Sequence, residues 1–83
     1  MKEKIYVRVW SETDPEGNIT PLSLEWTDGQ RFQIDRILEK RRAAAQGVPF
    51  TSTSIRYTIS LYGQRRLLFR EEDTNRWFVV VNQ

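Results

Sequence analysis

The chain has 83 residues, 39% of them hydrophobic and 29% charged, with a formal net charge of +2 and neither cysteine nor histidine. Those two absences exclude a disulfide framework, a thiol nucleophile, an imidazole base and any zinc site built from Cys and His. A single domain of this size (residues 1–83) buries roughly 60–65% of its unfolded surface, so its core is thin, little stability is left for a deep catalytic pocket, and no enzymatic activity is expected.

The opening, Met1 to Trp10, has no uninterrupted apolar stretch of the kind a signal peptide needs. The longest apolar run, Trp77 to Val81, is far below the ~20 residues of a membrane-spanning helix. A soluble cytoplasmic protein with no membrane partner is therefore expected.

In chain order, Ile5, Val7 and Val9 alternate with Tyr6, Arg8 and Trp10, which predicts a first strand. Asp14-Pro15-Glu16-Gly17-Asn18 reads as a turn, because proline presets one dihedral and glycine or asparagine accepts positive φ. Leu22, Leu24 and Trp26 then mark a second strand that runs into the hairpin signal Asp28-Gly29. Parity selects the loop. A two-residue loop would set Leu24 against Gln33 and mix the faces, whereas a three-residue Thr27-Asp28-Gly29 loop sets Leu24 against Phe32, Leu22 against Ile34 and Glu25 against Arg31.

The segment from Ile34 to Gln46 pulls two ways. Ile34, Ile37 and Leu38 have helical spacing, Glu39 through Ala45 are good helix formers, and Gly47 and Pro49 would stop a helix. It also leads straight out of a strand, whose alternation could resume after a bulge at Asp35 or Arg36. The expectation is a strand to about Leu38 followed by a short helical or irregular stretch within residues 36–46.

Ile55, Tyr57, Ile59 and Leu61 alternate ahead of Gly63, and Leu67 and Phe69 follow, which predicts a second hairpin. A Gly63-Gln64 loop would set Tyr57 against Arg70, so an odd-length loop is expected here too. That register throws Arg56, Arg66 and Arg70 together onto the outer surface. Trp77 to Val81 forms the last strand after Asp73-Thr74-Asn75. The first and last strands are apolar on both faces, and a helix, barrel closure, a second copy of the chain or a stacked ligand could cover the extra face. The fold class expected is mainly β, a single small antiparallel sheet or partly closed barrel of five to six strands, with room for one short helix.

Charge is unevenly placed. Residues 1–35 carry four basic and seven acidic side chains, residues 36–70 carry eight basic ones against Glu39 alone, and the tail sets Glu71, Glu72 and Asp73 against Arg76. Ten of the thirteen cations are arginine, whose planar fork suits phosphate and carboxylate and stacks on flat rings. A solvated face paired with nearby acids is the plainer explanation of any one such run. The size of the local excess favours a binding surface.

Other motifs fall away. Asp14-x-Glu16-x-Asn18-x-Thr20 with Glu25 mimics a calcium loop, but Ile19 stands where the loop needs glycine, and two prolines interrupt it. No serine-nucleophile motif, phosphate-binding glycine loop or paired-carboxylate arrangement is present. No catalytic residue, cofactor or metal is expected. Arg8, Arg36, Arg41, Arg42, Arg56, Arg66 and Arg70, with Tyr6 and Trp10, are the candidate nucleic-acid-binding residues, because cations engage phosphates and flat rings engage bases.

Trp26-x-Asp28-Gly29-x-x-Phe32-x-Ile34-Asp35-Arg36-Ile37-Leu38, Arg56-Tyr57, Leu68-Phe69-Arg70 and Arg76-Trp77-Phe78-Val79 together resemble a family of short, uncharacterised bacterial proteins, some of them encoded near Y-family lesion-bypass DNA polymerases. The resemblance implies that Arg36, Arg56 and Arg76 are recurring cations and that the protein has a role linked to DNA repair. It carries no activity to any residue. The expected function is a noncatalytic binding module whose arginine-rich face docks nucleic acid or an acidic protein. The alternative is a structural protein that homodimerises through the second apolar face of its terminal strands.

Overall fold

The computed structural model describes residues 2–43 and 54–82 and contains seven strands among them: β1 (Lys2–Thr13), β2 (Ile19–Glu25), β3 (Arg31–Gln33), β4 (Arg36–Ala43), β5 (Ser54–Leu61), β6 (Gln64–Glu71) and β7 (Trp77–Asn82). They form one antiparallel sheet in the order β3-β2-β1-β7-β6-β5-β4. Its two edge strands are consecutive in the chain and are separated only by Ile34 and Asp35. At that junction the amide of Ile34 donates to the Leu22 carbonyl at 3.0 Å, and the amide of Asp35 donates to the Ser60 carbonyl at 2.8 Å. The chain thus passes from the β2 side to the β5 side within one residue and curls the sheet into a partly closed barrel.

The mainly β expectation holds, with seven strands in place of five or six. The short helix does not form where the residues are described. Arg36–Ala43 is a strand paired with β5 from Arg36↔Ser60 to Ala43↔Ser54, and residues 44–46 lie outside the described residues. Helix propensity differs by only tenths of a kcal/mol per residue among these side chains, and a ladder of hydrogen bonds to β5 overrides it. The expected bulge sits two or three residues later, where the register shifts between Ile37 and Glu39 and leaves Leu38 as the extra, exposed residue.

The β2–β3 hairpin has the anticipated odd loop. Leu24 pairs with Phe32 and Glu25 with Arg31, the Trp26 amide donates to the Gln30 carbonyl at 2.8 Å, and Gly29 takes the left-handed position at φ 88°. One detail differs. Trp10 pairs with Ser23 but Ser11 pairs with Pro21, so Leu22 is the extra residue of a bulge and its side chain is exposed, not buried beside Ile34.

The β5–β6 hairpin corrects the other parity argument. Its loop is the two-residue Tyr62-Gly63, both at positive φ (50° and 74°), with Leu61 paired to Gln64, the mirror-image turn that matches strand twist. Tyr57 therefore pairs with Leu68, and both are fully buried. Arg56, expected beside Arg66 and Arg70, pairs with Phe69 on the opposite face of the sheet from Arg66 and Arg70, which pair with Ile59 and Ile55.

The barrel interior is built from Leu24, Ile34, Tyr57, Ile59, Leu68 and Trp77, with Val7, Val9, Phe32 and Val79 packed against them. Tyr57 and Trp77 lie with ring centroids 5.3 Å apart, and the Tyr57 hydroxyl donates to the Ile19 carbonyl at 2.8 Å, so the one polar atom of that large core side chain is satisfied. On the outer surface a second apolar layer runs across three strands. Tyr6 pairs with Phe78 and Phe78 with Phe69, at centroid separations of 6.0 and 5.1 Å. Phe69 and Phe78 are both buried, which accounts for the two apolar faces of the terminal strands.

Candidate nucleic-acid interface

Alternation along β1 turns Tyr6, Arg8 and Trp10 to the outer surface as three successive outward residues. Two further cations reach this row from neighbouring elements. Arg31 is brought there by the pairings Arg8↔Glu25 and Glu25↔Arg31. Its guanidinium carbon lies 4.0 Å from the Trp10 ring centroid, and that of Arg8 lies 5.2 Å away. Arg76, at the end of the β6–β7 turn, places its guanidinium carbon 3.6 Å from the Tyr6 ring centroid. Each cation–ring contact of this kind is worth about 0.5–1 kcal/mol, and Arg31 is further held by its Nε–H donating to the Ser23 hydroxyl at 3.2 Å.

Glu71 anchors the end of the row. Its side chain is only 6% exposed; Oε2 accepts from Lys4 Nζ at 2.5 Å and from the Tyr6 hydroxyl at 2.7 Å, and Oε1 accepts from the Thr74 hydroxyl at 2.5 Å. Burial alone would raise its carboxyl, but the hydrogen bonds from Lys4, Thr74 and Tyr6 together outweigh it and hold the group at about 2. The same Lys4 ammonium lies 5.0 Å from the Tyr6 centroid and 4.8 Å from that of Phe78. The Tyr6 ring is thereby held at both its face and its hydroxyl.

The remaining candidates lie in three separate places. Arg36, Arg41 and Arg56 lie on the outer surface of β4 and β5, where Glu39 bridges Arg41 at 3.1 Å and Arg56 at 3.5 Å. Arg42 and Arg70 sit at one mouth of the barrel; Arg42 makes a forked pair with Glu72 at 2.8 and 2.7 Å, and Arg70 donates to Asn75 at 3.1 Å. Arg66 is near the other mouth, bonded to the Gln64 side chain and the Arg65 carbonyl. The Nε atoms of Arg56 and Arg70 are buried without a hydrogen-bond partner. Of these candidates, the guanidiniums of Arg41, Arg42, Arg56, Arg66 and Arg70 are held by partners in their own chain.

The structure therefore brings together Tyr6, Arg8 and Trp10 and adds Arg31 and Arg76, which the charge map did not single out. Arg31 was traceable, since the first hairpin already placed it opposite Glu25; what was lacking was the pairing of β1 with β2. The segment resembling a calcium loop is a local turn in which Asp14 Oδ1 accepts from the amides of Asn18 at 2.8 Å and Glu16 at 3.0 Å. The Asn18 amide above all holds the Asp14 carboxyl below the usual carboxylate range. Compared with protein-family models, curated proteins and solved structures, the chain matches none.

Proposed function

We propose that the protein is a noncatalytic module that binds single-stranded nucleic acid across the outer surface of β1. The observation that carries the proposal is the stacking of Arg8, Arg31 and Arg76 on Trp10 and Tyr6 within one outward row. A strand of nucleic acid offers phosphates at regular spacing and unstacked bases with flat faces, and binding without sequence preference combines a cationic track with aromatic platforms. Glu25 lies between Arg8 and Arg31 in register, yet no ion pair within 4 Å joins it to either among the described residues, so both cations keep their charge available for phosphate. Single strands are favoured over duplex because Tyr6 and Trp10 offer ring surface to unpaired bases, whose faces a duplex keeps stacked inside. The resemblance to proteins encoded near lesion-bypass polymerases is in keeping with a single-stranded DNA ligand.

The test is a titration of an oligothymidine and of a duplex of equal length at several salt concentrations. Oligothymidine binding that weakens steeply with salt and disappears in an Arg8→Ala, Arg31→Ala, Arg76→Ala variant supports the reading. No binding at low salt, or unchanged binding by the triple variant, overturns it.

A further inference from the structure

The barrel is split on the side away from the β6–β7 turn. These two strands are joined through Phe69↔Phe78 and Arg70↔Trp77 alone among the described residues, although β6 extends back to Gln64 and β7 forward to Asn82. The far edges of both strands are fully used: β6 is paired with β5 from Ser54↔Glu71 to Leu61↔Gln64, and β7 with β1 from Lys2↔Asn82 to Val7↔Trp77. Beyond Leu68 and Val79, the near edges diverge.

A cleft of about 880 Å³ opens between them, lined by Leu24, Phe32, Ile59 and Leu61 within, by Val79 to Val81 on one bank and by Arg65, Arg66 and Leu67 on the other. Its size falls within the roughly 300–1,000 Å³ of ligand clefts. The Phe32 and Tyr62 rings, 5.8 Å apart and edge-to-face, close one end. Among the described residues none that lines it is acidic, and the two charged ones are both arginine.

We propose that this cleft receives an extended peptide in which apolar and acidic residues alternate. Two strand edges facing a gap of this kind offer main-chain hydrogen bonds to an added strand, which neither a nucleic acid nor a compact small molecule would use. Side chains of an added strand point alternately inward and outward. The inward set meets the partly buried Phe32, Leu61 and Val79 above a floor of buried Leu24 and Ile59, and is therefore apolar. The outward set runs beside Arg65, which pairs with Ser60 on the outer surface, while Arg66 stands at the mouth; both favour carboxylates. The site is separate from the β1 row and its failure leaves that reading untouched.

The experiment follows the backbone amides of the whole chain by NMR while adding the blocked peptide Val-Glu-Val-Glu-Val-Glu-Val, its counterpart with lysine for glutamate, or decanoate. The acidic peptide is expected to shift and slow the hydrogen exchange of amides in residues 64–68 and 79–81. The lysine peptide, and an Arg65→Glu, Arg66→Glu variant, should each bind at least about tenfold more weakly, with Arg8→Ala unchanged. Both arginines are exposed, so the variant folds, and its thermal midpoint verifies this. Equal binding by the two peptides, shifts confined to other strands, or a response to decanoate but not to the acidic peptide overturns the proposal. So does silence up to about 1 mM peptide, the concentration that corresponds to about −4 kcal/mol of binding.

Discussion

Glu71 Oε2 and the Tyr6 hydroxyl meet at 2.7 Å across 65 residues of sequence, joining β1 to the end of β6 through a carboxylate that is almost fully enclosed. The contact couples the stability of the barrel to the charge of one group. Because the folded carboxyl is held at about 2 against an ordinary 4.5, its contribution is fully present above pH 4.5 and is lost as pH falls toward 2. Thermal midpoints of the protein and of Glu71→Gln should therefore differ most near neutral pH and converge between pH 4.5 and about 2. A gap that does not change across that window would mean the carboxylate is not held as described.

The register of the β5–β6 hairpin makes a sharp distinction between neighbours. Leu68 is fully buried opposite Tyr57, whereas Leu67 is 45% exposed opposite Thr58. Leu68→Ala should cost about 2–5 kcal/mol in denaturant unfolding, the usual range for a leucine cut out of a core. Leu67→Ala should cost much less, within about 1 kcal/mol. The reverse order of effects would restore the odd-length register.

Why one hairpin was legible and the other was not follows from their turns. Asp28-Gly29 places glycine at the left-handed position of a loop that parity had already selected. Tyr62-Gly63 instead puts a tyrosine at φ 50°, where asparagine, aspartate or glycine would have announced the turn. Parity gave no help either, because β6 is apolar on both faces: Leu68 points into the barrel and Phe69 stacks on Phe78 outside. Arg66 and Arg70 share the inward parity of Leu68, a placement that sequence reasoning rejected as a buried charge. They sit near the two mouths, where a long side chain lays its stem on apolar surface and its guanidinium in water. The β1 row was half legible. Tyr6, Arg8 and Trp10 declare themselves by alternation, but Arg31 and Arg76 arrive through strand order and a turn, which only tertiary pairing supplies.

Gly29 offers a local test of the first hairpin. Its φ of 88° lies in the region that side chains avoid, and a Cβ there would meet nothing within 4 Å. Any cost of Gly29→Ala is therefore backbone strain and not collision. A loss of about 1–2 kcal/mol is expected from the left-handed conformation alone, read as a lower denaturant midpoint with an unchanged slope. A neutral substitution would show that the loop relaxes to another turn.

The two halves of the β1 row should fail differently when removed. Trp10→Ala takes away a stacking platform, so oligothymidine affinity should fall by about 1–3 kcal/mol with the salt dependence nearly unchanged. Arg31→Ala removes a charge while leaving the ring, so the slope of log affinity against log salt should shrink by about 0.7 for the lost single-strand phosphate contact. Arg31 also donates to the Ser23 hydroxyl at 3.2 Å, so Arg31→Lys keeps charge but loses the planar fork that lies on Trp10. That variant should preserve the salt slope and lose affinity. If Arg31→Lys binds as well as the parent chain, stacking contributes nothing and the row acts only as a cluster of charges.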